Sequence, residues 1–302
     1  MRRLTLPRGQ VEIRHLETIE EMEQVVEVQH RAWEGRMQVV PASLLLTVAH
    51  EGGVVLGARA LELPEQPVVG FVFGFLARHR MPGRAPFYKH HSHMLGVVPE
   101  WQGQGLGYWL KRAQWQAVRH QDLPLITWTF DPLWGRNAHL NITKLGGIAR
   151  TYYRNRYGTM TDPLNRGLPS DRVLVEVWVN SRRVLERMRA EPRRPLDLAH
   201  FFAAGARILN PAPLNAAGWP EPPAEVTFPQ PAAERIVLVE IPEDWFGLKA
   251  ADLDLALRWR LHIREVLETL FARGYLITEF IHLRGQPGRS FYALSHGEST
   301  LG

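Results

Sequence analysis

The residues of this chain best suited to chemistry gather between positions 91 and 131. His91 and His93 are two apart in an apolar, strand-like run that includes Met94, Leu95 and Val97. On a strand that spacing puts both imidazoles on one face. Such a pair can move protons near neutral pH, touch a substrate, or hold zinc if a third ligand joins it. No third ligand is indicated, and His90 faces the opposite side. Next come Gln102, Gly103, Gln104, Gly105, Leu106 and Gly107, followed by Leu106, Trp109, Leu110, Ala113 and Ala117 at helical spacing. A glycine turn between a strand and a helix start is a cradle for an anion. The first helical N–H groups lack intrahelical partners, the dipole is positive there, and glycine lets the backbone approach closely. Asp131 stands at the end of a strand-like run, placed either to orient a substrate amine or a histidine, or to cap the next helix.

The elements needed to position these groups can be read along the chain. A strand is expected at residues 11–16, a helix opened by the capping box Thr18 and Glu21, and a second helix begun by Pro41. Strands at 54–60 and 68–77 form a hairpin, with Gly70 and Gly74 marking bulges or close backbone approach. A basic loop is expected over 78–89. The long helix after the glycine turn carries Lys111, Arg112, Gln116 and Arg119 on its polar side. Further strands are expected at 124–130, 148–157 and 172–179, with a short helix at 136–145. Residues 191–234 hold many prolines, which disfavour long regular elements, apart from a helix around 197–209. A strand at 235–241, a helix from Asp252 to a terminating Gly274, and a hairpin turning at 285–288 complete a β-α-β-β region. The expected domains are 1–190, a connecting segment 191–234, and 235–302.

Composition narrows the classes. The 302 residues are 45% hydrophobic and 22% charged, as in a globular protein. No run approaches a membrane span, and the N-terminus lacks a signal-peptide core, so the expectation is a cytosolic protein without membrane attachment. Cysteine is absent, which excludes disulfides and thiolate sites. The net charge of +5 is dispersed arginine without a basic run, so no nucleic-acid partner is expected.

Spacing decides what the cradle holds. A dinucleotide fold needs its third glycine further on and an acid about 20 residues later. A Walker loop needs Gly-Lys-Ser/Thr, and Lys111 is misplaced with no hydroxyl beside it. The pattern Gln102-x-x-Gly105-x-Gly107, after a strand ending Val97-Val98-Pro99, resembles the pyrophosphate loop of the GNAT acyltransferase superfamily. The element order over residues 10–180 resembles that family too.

The resemblance implies an α/β (α+β) class protein with a splayed, mixed central sheet, followed by the smaller C-terminal β-α-β-β region. That region reads either as a degenerate second half or as a separate cap. It implies an enzyme, a CoA-dependent N-acyltransferase with acetyl-CoA or another acyl-CoA as co-substrate and no metal. The implied cofactor contacts are Leu95, Gly96 and Val97 on the strand, Gln102, Gly103, Gln104, Gly105, Leu106 and Gly107 in the loop, and Asn137 and Asn141. The segment His91-x-His93-x-Leu95-x-Val97 resembles the arylalkylamine acetyltransferase strand, which implies a proton relay, with Asp131 as a further catalytic candidate. The family's usual acid, a tyrosine, aligns with Ile142; Asn141, Tyr152 and Tyr153 are substitutes. The implied partners are a small-molecule amine or amino acid acceptor and a second copy of the chain. Longer stretches, including Trp128 to Leu133, Ser170 to Arg172 and Val239 to Asp244, resemble a bacterial GNAT group with an additional C-terminal region. Rival readings are a succinyl-CoA-dependent enzyme acting on amino acids, and a CoA-binding module without catalysis.

Overall fold

The computed structural model describes residues 2–33, 39–80, 83, 85–158, 160, 166–189, 196–285 and 288–297. The start of the proline-rich segment (191–195) and the tip of the last hairpin (286–287) lie outside the described residues. Two units are present, Met1–Trp128 with Trp178–Asn180, and Thr129–Val177 with Ser181–Gly302.

In the first unit, alternating apolar residues build an antiparallel ladder. Strands β1 (Arg2–Leu6), β2 (Gly9–His15), β3 (Val54–Ala60), β4 (Val68–His79) and β5 (Phe87–Val97) pair in chain order. The first of them was not expected; it pairs with β2 across a turn at Pro7 and Arg8, and Gly9, the first residue of β2, has φ +141°. The expected basic loop is much shorter than 78–89. Rungs join Arg78 to Tyr88 and His79 to Phe87, and the rings of His79 and Phe87 stack 5.0 Å apart.

Helix α1 (Ile19–Ala32) opens on the expected capping box, with Thr18 and Glu21 satisfying each other's backbone, and buries Met22, Val25 and Val28. Helix α2 (Ala42–His50) follows Pro41. After α1, Trp33 meets Phe71 of β4 edge-on at 6.1 Å. Helix α3 (Leu106–His120) covers the other face: a Cβ on Gly70 would lie 3.2 Å from Leu110. Strand β6 (Leu125–Phe130) then runs parallel to β5, which makes the sheet mixed.

The second unit begins with α4 (Gly135–Ala138), which widens into a π-helical turn at His139–Lys144 where one regular helix was expected. There follow β7 (Ile148–Tyr153), β8 (Arg172–Trp178), α5 (Arg182–Arg187) and α6 (Leu198–Ala203). The last ends before Gly205, at φ +81°, so the helix expected to reach residue 209 yields to the short β9 (Arg207–Ile208). The expected C-terminal unit is present as β10 (Ile236–Ile241), α8 (Leu253–Ala272), β11 (Tyr275–Leu283) and β12 (Arg289–His296). An additional α7 (Trp245–Ala251), capped by Asp244, precedes α8. Asp252 caps α8, and Gly274 takes φ +84° beyond its end. Strand β11 pairs with β7 as well as with β12, and β10 with β12 and β9. Among the described residues no helix is long and apolar enough to cross a membrane.

Candidate active site

Gly105 is the N-cap of α3 and sits in the left-handed region (φ +84°, ψ 3°), with no side chain capping the helix. Gly103 has φ +76°. A Cβ on either would meet nothing within 4 Å, so both glycines border open space at the start of α3, whose first N–H groups have no partner within the helix. Gly107 differs, since its Cβ would touch Leu95 at 3.5 Å. Leu106 is fully buried and anchors the turn. Gln102 donates from Nε2 to the Val97 carbonyl (2.8 Å), tying the loop to the end of β5. Gln104 accepts from the Arg8 N–H and donates to the Glu100 carbonyl. A loop braced at both glutamines, with left-handed glycines that border open space, fits a diphosphate.

Strand β5 supplies the other half. Its rungs to β6 are His90 with Ile126 and His91 with Thr127, and none follows among the described residues. The two strands therefore part just past His91, and from Leu95 on no strand among the described residues pairs with the β6-side edge of β5, where the Val97 carbonyl accepts from Gln102. Gly96 lies under the rings of Phe71 and Trp33, where a Cβ would come 2.7 Å from Phe71. Opposite β4 the register slips: Phe73 pairs with Met94 and Gly74 with Ser92. His93 is the extra residue of a bulge.

Bulged or not, the two histidines share a face. Their ring centroids are 6.0 Å apart, and Phe75 lies 5.4 Å from His91 and 5.8 Å from His93. His93 also meets Phe73 at 5.2 Å. Enclosure by these rings lowers the His93 pKa, although its outer edge is exposed. Such a group is neutral near pH 7 and able to take a proton. Gly74 has the close approach expected for it, since a Cβ would fall 2.3 Å from the His91 carbonyl.

On the opposite face lies a cluster that the sequence reading missed. Lys111 donates to Ser92 Oγ (2.6 Å), and Ser92 donates to Gln114 Oε1 (2.8 Å). The Gln114 amide nitrogen is 3.1 Å from His90 Nε2. Lys111 Nζ also sits 3.8 Å above the ring of Trp128. Burial draws Lys111 down to about 7, and burial together with Lys111 draws His90 down to about 3. Lys111 and Arg112 are thus buried, not part of a polar helix face. The available signal was spacing: Gly107, Lys111, Gln114 and Val118 recur at helical intervals.

Asp131 has a structural task. Both its oxygens accept from Arg260 (2.7 and 2.5 Å), Arg172 lies 3.9 Å away, and Oδ1 accepts the Leu133 N–H. Burial would raise its pKa, but the Arg260 charge and hydrogen bonds, with Arg172, hold it below the usual carboxylate range. Its carboxylate is committed to Arg260 and the Leu133 N–H, and it does not cap the next helix, since the N-cap of α4 is Trp134 and no side chain bonds there. Asn137 is half-buried in α4, while Asn141 is buried in the π turn. The wider turn takes them out of the simple stacking expected of one α-helix. Ile142 is fully buried. Tyr152 donates its hydroxyl to Asp171 (2.8 Å) and is held well above the ordinary phenol pKa, by burial first and then by Asp171. No cluster of metal-ligating side chains occurs among the described residues.

The ladder, the parallel β5–β6 pair that parts, and the turn into α3 are a mixed α/β arrangement of the kind the resemblance leads one to expect. No family model matches the chain, and no curated protein does. Among solved structures the chain is similar to a putative acetyltransferase from Salmonella typhimurium with its cofactor acetyl-CoA, at 15% identity and TM-score 0.41 over 61% of this chain and 99% of that one. It is similar to a ribosomal-protein alanine N-acetyltransferase from Escherichia coli, at 15% identity and TM-score 0.42 over 56% and 94%. A GNAT-family acetyltransferase from Streptococcus pneumoniae gives 13% identity and TM-score 0.41 over 55% and 97%.

Proposed function

We propose that the chain is a CoA-dependent N-acyltransferase that passes an acyl group, acetyl in the first instance, to the amine of a small molecule or amino acid. The observation carrying this reading is the union, on one strand–turn–helix, of an open left-handed glycine cradle with a strand edge abandoned just past His91. The N–H groups of residues 103–108 hold the diphosphate of the substrate. The backbone of Leu95, Gly96 and Val97 pairs with the amides of its pantetheine arm. His93, neutral because half-enclosed, takes a proton from the incoming ammonium, and His91 beside it passes that proton toward solvent.

The amine lone pair then forms the C–N bond at the thioester carbonyl. Peptide N–H groups on the free edge of β5 receive the oxyanion. Its electrons return, the C–S bond breaks and the nitrogen gives up its second proton to water, so that an amide and a CoA thiolate result and the thiolate takes up one proton from water. Holding both reactants in line lowers the barrier further.

Calorimetric titration with acetyl-CoA and succinyl-CoA, followed by thiol release across an acceptor panel, tests the proposal. Binding with turnover supports it, while no binding of either donor overturns it. Binding of CoA without turnover on any amine would instead mark a binding module of the same fold. In the active protein, His93→Ala is expected to lower kcat/KM by about 10²–10⁴-fold and to remove the acid limb of its pH profile. In the wild type that limb falls below the ordinary imidazole value, because burial lowers the His93 pKa. An unchanged profile in both His93→Ala and His91→Ala would show that neither carries the proton.

A further inference from the structure

Gln114 of α3 is 1% exposed and lies against the face of β5 turned away from His91 and His93. It nevertheless holds the residues on both sides of His91. Its Oε1 accepts from the Ser92 hydroxyl (2.8 Å) and, at longer range, from Lys111 (3.4 Å), and its amide nitrogen stands 3.1 Å from His90 Nε2. An amide nitrogen only donates, and His90 is neutral near pH 7, so Nε2 accepts and the ring hydrogen sits on Nδ1. Lys111, one turn earlier on α3, adds a second bond to Ser92. Strand β4 closes on the same place from its own side, where a Cβ on Gly74 would fall 2.9 Å from the Ser92 Cα.

A bulge is one extra residue in a strand, and the ladder alone does not fix which residue is extra. Ser92 shares the rung of Gly74 and faces α3. A bulge moved by one residue would put His93 on that rung, turn its ring toward α3 and part it from His91. Ser92 would then leave Gln114 and Lys111, both buried, and their polar groups would lose a partner inside the protein, which is costly. We infer that Gln114 is a positioning residue of the proposed reaction: by tying His90 and Ser92 to α3 it fixes the bulge at His93, and so keeps His91 and His93 side by side on the other face; the inference rests on that reading. Its action passes through the backbone of residues 90–93, and it touches no substrate.

Two substitutions separate positioning from packing. Gln114→Leu fills the same space without either bond. Gln114→Glu keeps both, since its carboxylate accepts from Ser92 and from His90 once that ring carries its hydrogen on Nε2. For the wild type and each variant, acetyl-CoA affinity is measured by calorimetry and kcat by thiol release. The His93 ring signals, identified by their loss in His93→Asn, are followed by NMR; in the wild type they are displaced by the rings of Phe73 and Phe75, at 5.2 and 5.8 Å. Gln114→Leu is expected to bind acetyl-CoA as the wild type does, to lose about 10- to 100-fold in kcat, and to show His93 signals moved from their wild-type positions. Gln114→Glu is expected to keep the wild-type signals and most of kcat. Should Gln114→Leu fail to fold, Ser92→Ala, which cuts the same tie from the strand side, is read in its place and by the same criteria. A wild type that neither binds acetyl-CoA nor turns over overturns the acyltransferase reading and this inference with it. In an active wild type, this inference alone falls if Gln114→Leu keeps its kcat, if kcat drops while the His93 signals stay in place, if acetyl-CoA binding is lost as well, or if Gln114→Glu is as impaired as Gln114→Leu.

Discussion

At the scale of single residues, Lys111 shows what enclosure does to a charge. Its partners Ser92, Gln114 and the Trp128 ring are all neutral, and burial brings its pKa from 10.5 to about 7. Between those values the unfolded chain binds a proton that the folded chain lacks, so stability rises with pH across the window. Below about 7 both states are protonated and this group adds no further slope. His90 acts in the same sense lower down, since it is drawn to about 3 from 6.5 and the fold loses stability as pH falls through that interval. Urea denaturation of the wild type should show a midpoint that climbs from pH 7 to pH 10. Lys111→Met should be more stable at pH 7 and should lack most of that climb. A climb of equal size in Lys111→Met would show that another group is responsible.

At the scale of elements, two glycines of the same neighbourhood serve different ends. Gly74 is needed by the fold, because β5 leaves no room for a Cβ there. Gly105 touches nothing, and its left-handed backbone costs a side chain only about 1–2 kcal/mol. Gly105→Val should therefore lower the melting temperature modestly while abolishing acyl-CoA binding in calorimetry; retained binding would remove the turn from the site. The turn was legible in the sequence because glycines before an amphipathic helix are a local signal. The bulge at His93 was not, since register is set by the partner strand and no residue type announces it. Lys111 was misplaced for a related reason: charge argues for a solvated face, and only the packing of α3 on β5 and β6 overrides that.

At the scale of the molecule, charges far apart in sequence meet inside the second unit. Asp131 and Arg260 are 129 residues apart, and the arginine is 2% exposed. Asp171 is likewise held by Arg264 and Tyr152. Such pairs cannot be read from one sequence, because each partner alone looks like a surface charge or a catalytic candidate, as Asp131 did. Removing one member leaves the other buried and uncompensated. Asp131→Asn is expected to cost about 3–5 kcal/mol of stability by urea denaturation. A loss well below that range would show that Arg260 finds another partner.

The bulge in β5 has one more consequence. Ser92 and Leu95 both face α3, although residues three apart in a plain strand face opposite ways. Taking His93 out altogether would make them two apart and restore a regular ladder with every neighbour still on its present side. A single codon thus separates a plain scaffold strand from one that carries a protruding imidazole. Deletion there is gentler on the architecture than the same change anywhere else along β5, where it would turn the following residues inside out.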